Sequence, residues 1–454
     1  MRVFPALRPV ARCLAAALVV TTSVCAGGPA LLAMSRPPDA RNVVHSQALR
    51  AALRRAPYQS SGKIQHVVYI IQENRSFNVL FKGFPGATTA SKGDDENGNK
   101  VKLHVQNLSQ GWDMDHSVNG FFADYANGAL NGWNEEDACC GEPKDFAYAY
   151  IERSQVKPYW SMAEQYVLAD NMFQSNLDGS FISHQYAISA YANHAVNYPS
   201  GAWGCTGSSG DVINTLLGNR TIGPNISACF NQQTLGDELD NAGIGWRFYA
   251  APTSNTGTIW SAYQAIQHIY EGPDWAKDVI TPSSQFITDV QNGILEPVTW
   301  VTPTWANSDH SGNNSDTGPS WVTQLVNTIG NSPFWGTTAI FIQWDDWGGW
   351  FDPVEPVYED YDGLGFRVPL IVISPYAKQG YVSHTQYETA SVPRFIEDTF
   401  GLGQLAAADG RANDPSNDCF DFNQPPRPFQ TISAKYSKNF FLKQRESYHA
   451  PDDQ

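Results

Sequence analysis

The chain has 454 residues and a formal net charge of −16. That length can bury one large core or two, and the acidic balance argues against a general nucleic-acid binder, whose affinity rests on Lys and Arg meeting phosphates. It leaves room for a phosphate-bearing substrate where a metal supplies the positive field locally.

Arg2, Arg8 and Arg12 precede an apolar run from Cys13 to Val20, and Val24-Cys25-Ala26 offers small residues for cleavage. This is the pattern of a signal peptide at 1–26 and predicts an exported protein, periplasmic or extracellular. Residues 27–62 are rich in Pro, Arg and Ala and read as a linker or arm. With Cys13 and Cys25 removed, Cys139, Cys140, Cys205, Cys229 and Cys419 remain, and an oxidising compartment favours disulfides. Cys205 and Cys229 bracket a Gly/Ser/Asn-rich segment and are the expected pair. Cys419 is left to meet Cys139 or Cys140.

Val67–Ile71 is an apolar run without polar alternation, as expected of a strand covered on both faces. It stops at Glu73 and Asn74. His116 follows in a polar stretch, and the segment between, Thr88–Lys100, reads as exposed. Pro158–Gln165 suits a helix with Pro in its first turn. Tyr166–Ala169 reads as a strand. Gly179 then allows a tight turn at Ser180 before the helical pattern of Tyr186, Ala187, Ile188 and Ala190. A serine at a turn entering a helix lies near free backbone amides, which suits an oxygen that becomes phosphorylated; the same position also suits a plain N-cap.

Helices are predicted at Thr234–Gly243, Trp260–Tyr270 and Ser284–Asn292, and strands at Trp246–Ala250 and Val298–Thr302. The latter leads into Ser308-Asp309-His310. Val322, Leu325, Val326 and Ile329 have the spacing of a helix packed on a sheet. Thr337–Gln343 is a second fully apolar strand, ending at Asp345 and Asp346. Two adjacent carboxylates repel unless a cation or buried donors compensate; the alternative is a solvated pair in a Gly-rich turn. Leu370–Ile373 is a further strand, and Val392, Phe395, Ile396 and Phe400 mark a last helix. His384, just before it, reads as structural. Pro425–Gln454 reads as a tail wrapping the surface. Strands alternating with helices indicate an α/β fold with a largely parallel sheet.

Three strands thus end in oxygen or imidazole groups, at Glu73 and Asn74, at Asp309 and His310, and at Asp345 and Asp346. Lined along one sheet edge, these groups suit a hard divalent cation, Mg²⁺ or Ca²⁺, better than a thiolate zinc site. With Ser180 nearby, they suggest metal-assisted phosphoryl transfer through a serine nucleophile.

Glu73-Asn-Arg-Ser-Phe77 resembles the signature of the bacterial phosphoesterase family that contains secreted phospholipases C and acid phosphatases. Supporting blocks are Asp115-His116, Asp178–Gln185, Trp203-Gly-Cys205, Ser308–His310, Trp344–Asp352 and Arg367–Pro375. The resemblance implies an alkaline-phosphatase-like α/β fold, with a largely parallel central sheet covered by helices on both faces and a single catalytic domain at 63–454. It implies metal ligation by Glu73, Asn74, Asp345 and Asp346, a nucleophile at Ser180, and assistance from His116 and His310. The chain departs from the family pattern at Asn78-Val79 and at Pro353, which bears on substrate class. The expected activity is phospholipase C-type phosphodiester hydrolysis, with acid phosphatase as the alternative. The substrate is a phospholipid or a small phosphate ester; peripheral membrane contact stays open, and nucleic acid is not a partner. A silent surface-binding protein, using Trp and Tyr as stacking platforms, is the reading from another class.

Overall fold

The computed structural model describes residues 62–134, 142–254 and 256–451. The leader expected at 1–26, nearly all of the arm at 27–62, and Cys139 and Cys140 lie outside the described residues.

Eight strands form the central sheet: β1 (His66–Gln72), β2 (Val167–Ala169), β3 (Trp246–Tyr249), β4 (Val279–Ile280), β5 (Val298–Val301), β6 (Thr338–Trp344), β7 (Leu370–Ile373) and β8 (Tyr381–Ser383). Their spatial order is β4-β3-β5-β1-β6-β7-β2-β8. All neighbours are parallel except those of β7, which runs antiparallel to both β6 and β2. The sheet is therefore of the largely parallel α/β kind expected from sequence.

β1 and β6 are its centre, paired from His66↔Thr338 to Gln72↔Trp344. Apart from His66, every residue of both strands is buried. Both faces are covered, so neither strand needs polar alternation. The covering helices include α1 (Phe77–Phe81), α2 (Val118–Tyr125), α3 (Lys157–Gln165), α4 (Ser180–Ser189), α5 (Gln285–Gln291), α6 (Gly318–Gly330) and α7 (Ser391–Phe400). In α6, Pro319 stands in the first turn and Val322, Leu325, Val326 and Ile329 are all buried, each burial contributing about 1.5–3 kcal/mol. α7 is stopped by Gly401 in the left-handed conformation, the usual glycine end of a helix. Among the described residues no helix is long and apolar enough to cross a membrane.

Several expectations need correction. Trp260–Tyr270 is not one helix: a short 3-10 turn, Ala262–Ala265, is followed by the single turn Gln267–Tyr270. Trp260, Ala262, Tyr263, Ala265 and Ile266 are all buried, and Ile266 bridges to Phe230, so packing on all sides overrides the helical pattern. The edge strands β4 and β8 are too short to leave a sequence signature. The polar stretch after Thr88 is not simply exposed loop: Lys92–Asp94 pairs with Lys100–Lys102 as a hairpin.

Cys205 and Cys229 form the expected disulfide. Cys419 does not join another cysteine. It is a free, buried thiol whose sulfur lies 3.5 Å from the Tyr387 hydroxyl, next to the stacked rings of Phe395, Phe420 and Phe422. Burial pushes the thiol up to about 12.

Candidate active site

β5, β1 and β6 are neighbours, so the loops leaving their carboxyl ends emerge side by side, where ligands bind in open α/β sheets. The β1–β6 ladder continues one step past the strands, because Asp345 N donates to Gln72 O at 2.9 Å. Asn74 N then donates to Asp345 Oδ1 at 2.9 Å. Asn74 takes a left-handed conformation, with φ 56°, which Asn tolerates better than most side chains. Gly348 packs against it: a Cβ there would stand 2.4 Å from Asn74 O, and its own φ is 61°. The Gly-rich stretch after Asp346 thus serves close approach as well as turning.

Glu73, His184 and Asp345 are buried, and each presents a ligand atom within 4.8 Å of the other two. His184 Nε2 stands 3.3 Å from Glu73 Oε1 and 3.5 Å from Asp345 Oδ2. Asn74 Oδ1, also buried, accepts no hydrogen bond. A buried amide oxygen left without a donor is costly in an apolar interior, and beside two carboxylates it suits a hard cation. The donor set therefore fits a divalent metal.

Ser180 opens α4 after Gly179 at the N-cap, and its hydroxyl donates to Asp346 Oδ2 at 3.2 Å. A Cβ on Gly179 would sit 2.9 Å from His116 Cδ2, so only glycine lets the turn lie against that ring. Asp178 fixes the turn from beneath, accepting from Gly179 N at 2.8 Å and Asn197 N at 2.6 Å. Burial raises the Asp178 carboxyl to about 6 against the pull of those amides.

Asp345 and Asp346 are driven apart. Burial disfavours charge on both. In Asp345 the hydrogen bond and charge of His184 outweigh burial, and its carboxyl falls below the usual range. In Asp346 burial and the neighbouring Asp345 charge act together and hold it well above. Asp346 N also donates to Asp345 Oδ1 at 2.8 Å, and Gly348 N to Asp346 Oδ1 at 2.7 Å, so backbone amides carry part of the compensation expected for an adjacent carboxylate pair.

The two predicted histidines lie with their ring centroids 5.7 Å apart. His116 Nδ1 is 2.7 Å from Met114 O, and its Nε2 is 2.8 Å from Asn74 Nδ2. The carbonyl requires a proton on Nδ1, so Nε2 accepts from the Asn74 amide. His310 bonds through Nδ1 to Ser311 O and packs against the rings of Trp305 and Trp260 at 4.7 and 5.8 Å. Asp309 is not brought to the cradle. Its Oδ2 accepts from Tyr159 Oη at 2.7 Å and Trp344 Nε1 at 3.0 Å, and burial raises it to about 6. His384 bonds Asp170 at 2.7 Å, consistent with its structural reading. His184 was not singled out from sequence; its spacing of four from Ser180 puts both on one face of α4.

The departures from the family pattern fall on scaffold contacts. Asn78 is fully buried and clasps Ala90, accepting from its N at 2.8 Å and donating to its O at 3.3 Å. Asp352, before Pro353, accepts from Asn78 N at 3.1 Å and pairs with Arg367 at 2.8 and 3.1 Å.

Residues 64–403 match the model of the phosphoesterase family. Curated relatives include the hemolytic phospholipase C of Pseudomonas aeruginosa, 24% identical over 425 residues that cover 78% of this chain and 56% of the relative. The phospholipase C A of Mycobacterium tuberculosis is 25% identical over 428 residues, 80% of this chain and 78% of the relative. The non-specific phospholipase C1 of Arabidopsis thaliana is 22% identical over 412 residues, 79% and 71%. The chain thus spans little more than half of the Pseudomonas relative. A looser overlap, with a TM-score of 0.40 and 10% identity over 81% of this chain and 76% of the other, links it to a Vibrio parahaemolyticus protein of the alkaline phosphatase superfamily. With three quarters of its length matched, the chain belongs to the phosphoesterase family, whose members are hydrolases of phosphoric ester bonds.

Proposed function

We propose that this chain is an exported, metal-dependent phosphoesterase of the phospholipase C type, acting through a phosphoserine on Ser180. The observation that carries the reading is the Ser180 hydroxyl, 3.2 Å from Asp346, at the mouth of a helix that also delivers His184 to Glu73 and Asp345. Glu73, Asn74, Asp345 and Asp346, with His184 beside them, would hold a divalent cation, Mg²⁺ or Ca²⁺ by the hardness of the oxygens. Bound there, it supplies positive charge that neutralises phosphoryl oxygens.

The chain's own groups do the rest. Asp346 is the nearest base and takes the Ser180 proton as Oγ attacks phosphorus. The bond from phosphorus to the leaving alcohol oxygen breaks. His310 gives its proton to that oxygen. Water then attacks the phosphoserine, its proton returns to His310, and Ser180 Oγ leaves and recovers its proton from Asp346. His116 holds the Asn74 amide so that its oxygen faces the cradle.

Export and a phospholipid substrate are supported by the leader pattern and by the names of the relatives. The test is to assay a phosphatidylcholine and an aryl monophosphate side by side. Release of a phosphorylated headgroup supports the diesterase; turnover of the monoester alone makes the chain an acid phosphatase. Lipid binding without turnover of either would make it a silent binding protein. Full activity of Ser180→Ala on either substrate would end the phosphoserine mechanism.

A further inference from the structure

The loop beyond β5 carries His310, and a distant part of the chain covers it. His449 lies flat on Trp305, with centroids 4.4 Å apart and planes 4° apart. Trp305 in turn packs on His310 at 4.7 Å, and Trp260 packs against both, 5.8 Å from His310 and 6.0 Å from Trp305. The His310 ring thus completes a triangle of rings with two stacked tryptophans. One of these, Trp305, is half-buried and is covered by an exposed histidine.

This contact does not stand alone. Asn307 Nδ2 donates to Gln444 Oε1 at 2.8 Å. Asn307 O accepts from Gln72 Nε2 at 3.0 Å, and Gln72 Oε1 accepts from Asp309 N at 2.9 Å. Gln72 immediately precedes Glu73. Further back, Tyr436 Oη donates to Asp316 at 2.7 Å and Lys435 pairs with the same carboxylate at 2.5 Å. Gln324 Nε2 donates to Tyr436 O at 2.8 Å. The segment that follows the helix Lys438–Leu442 is therefore tied to the loop that holds His310 and, through Gln72, to the end of β1.

We infer that residues 444–449 form an outer wall of the active site, with His449 a positioning residue that sets the His310 ring through Trp305. The inference rests on the reading of His310 as the proton donor. What matters at 449 is a flat aromatic face. His449 Nδ1 lies 2.8 Å from Ala450 O, so this nitrogen bonds within its own segment. Any planar ring that stacks on Trp305 would serve, and a small side chain would not. With its cover removed, Trp305 gains freedom to swing, and the ring of His310 loses its nearest fixed neighbour. A displaced proton donor lowers the rate of the chemical step without weakening substrate binding.

The experiment compares the wild-type chain with His449→Ala and His449→Phe in the metal-loaded protein. His449 is exposed, so neither change disturbs the core. His449→Ala should lower kcat by about 3- to 10-fold with KM unchanged, and His449→Phe should restore it. In parallel, the His310 ring signal is followed by NMR in the Ser180→Ala background, assigned by its loss in His310→Gln. It should shift and broaden in His449→Ala and return in His449→Phe. An unchanged His310 signal with unchanged kcat overturns the inference. So does a His449→Phe variant as impaired as the Ala variant, since the imidazole nitrogens would then matter rather than the stack. If the wild-type chain turns over no phosphate ester, the proposed function fails, and the NMR comparison alone decides whether His449 positions His310.

Discussion

Asn74 donates its side-chain amide to His116 Nε2 across 2.8 Å, and this bond decides which way the Asn74 oxygen faces. The second ring nitrogen, 2.7 Å from Met114 O, fixes the tautomer. Loss of a partner that orients a ligand typically costs 10- to 100-fold in metal affinity. His116→Ala should therefore weaken divalent-metal binding by about 10- to 100-fold in isothermal titration, while Asn74→Asp, which cannot turn a nitrogen toward the cradle, should bind within a few-fold of wild type. Equal affinity of His116→Ala and wild type would remove His116 from the support of the site.

The nucleophile prediction separates chemistry from folding. The Ser180 hydroxyl donates to Asp346 from the first position of α4, where Gly179 is already the N-cap. Ser180→Ala should keep its thermal midpoint and its metal affinity while losing turnover by roughly 10³-fold or more. A phosphorylated Ser180 trapped by rapid acid quench and found by mass spectrometry would be the positive counterpart.

Much of this arrangement is legible in the sequence, for identifiable reasons. β1 and β6 declare themselves because both of their faces are buried, which leaves apolar runs that end at Gln72 and Gln343, just before Glu73 and Asp345 begin the loops. The helices α6 and α7 keep one apolar face and so keep their period. Trp260–Tyr270 misleads because tertiary packing buries its first part, Trp260 to Ile266, all round. Asp309 and His310 look equivalent as neighbours in sequence, yet consecutive side chains point apart. One goes to Tyr159 and Trp344, the other to the tryptophans. Gln72 carries no sequence signal, because a buried amide that ties loops together resembles any strand-end glutamine.

That tie can be measured. Gln72 is fully buried and bonds Asn307 O and Asp309 N. Gln72→Leu leaves both backbone groups without their partner, a cost of about 1–3 kcal/mol. Urea unfolding should show a loss of that size. Because the same bonds hold the His310 loop, kcat should fall more than the metal affinity does. A destabilised variant with wild-type kcat would make Gln72 purely structural.

The last prediction concerns pH. Glu397 on α7 is buried, and neither of its carboxylate oxygens accepts a hydrogen bond. Burial, and then the neighbouring Asp409 carboxylate, push it up to about 10 from 4.5. The Asp409 carboxylate accepts from the amides of Leu405, Ala406 and Gly410 at 2.6 to 2.9 Å. Glu238 also faces the pair and adds to the rise; Arg394 opposes it. The folded chain therefore keeps a proton that the unfolded chain releases above the ordinary carboxyl range. The stabilisation is complete below about pH 4.5 and is lost as pH rises toward about 10. Glu397→Gln keeps the shape, supplies a permanent donor toward Asp409 and does not titrate. Its stability relative to wild type should thus grow from near zero at about pH 5 to about 1–3 kcal/mol at about pH 9, read by urea unfolding at both values. A difference that stays flat across this range, or that shrinks with rising pH, would show that Glu397 is ionised in the folded protein and that the Glu397–Asp409 pair does not share a proton.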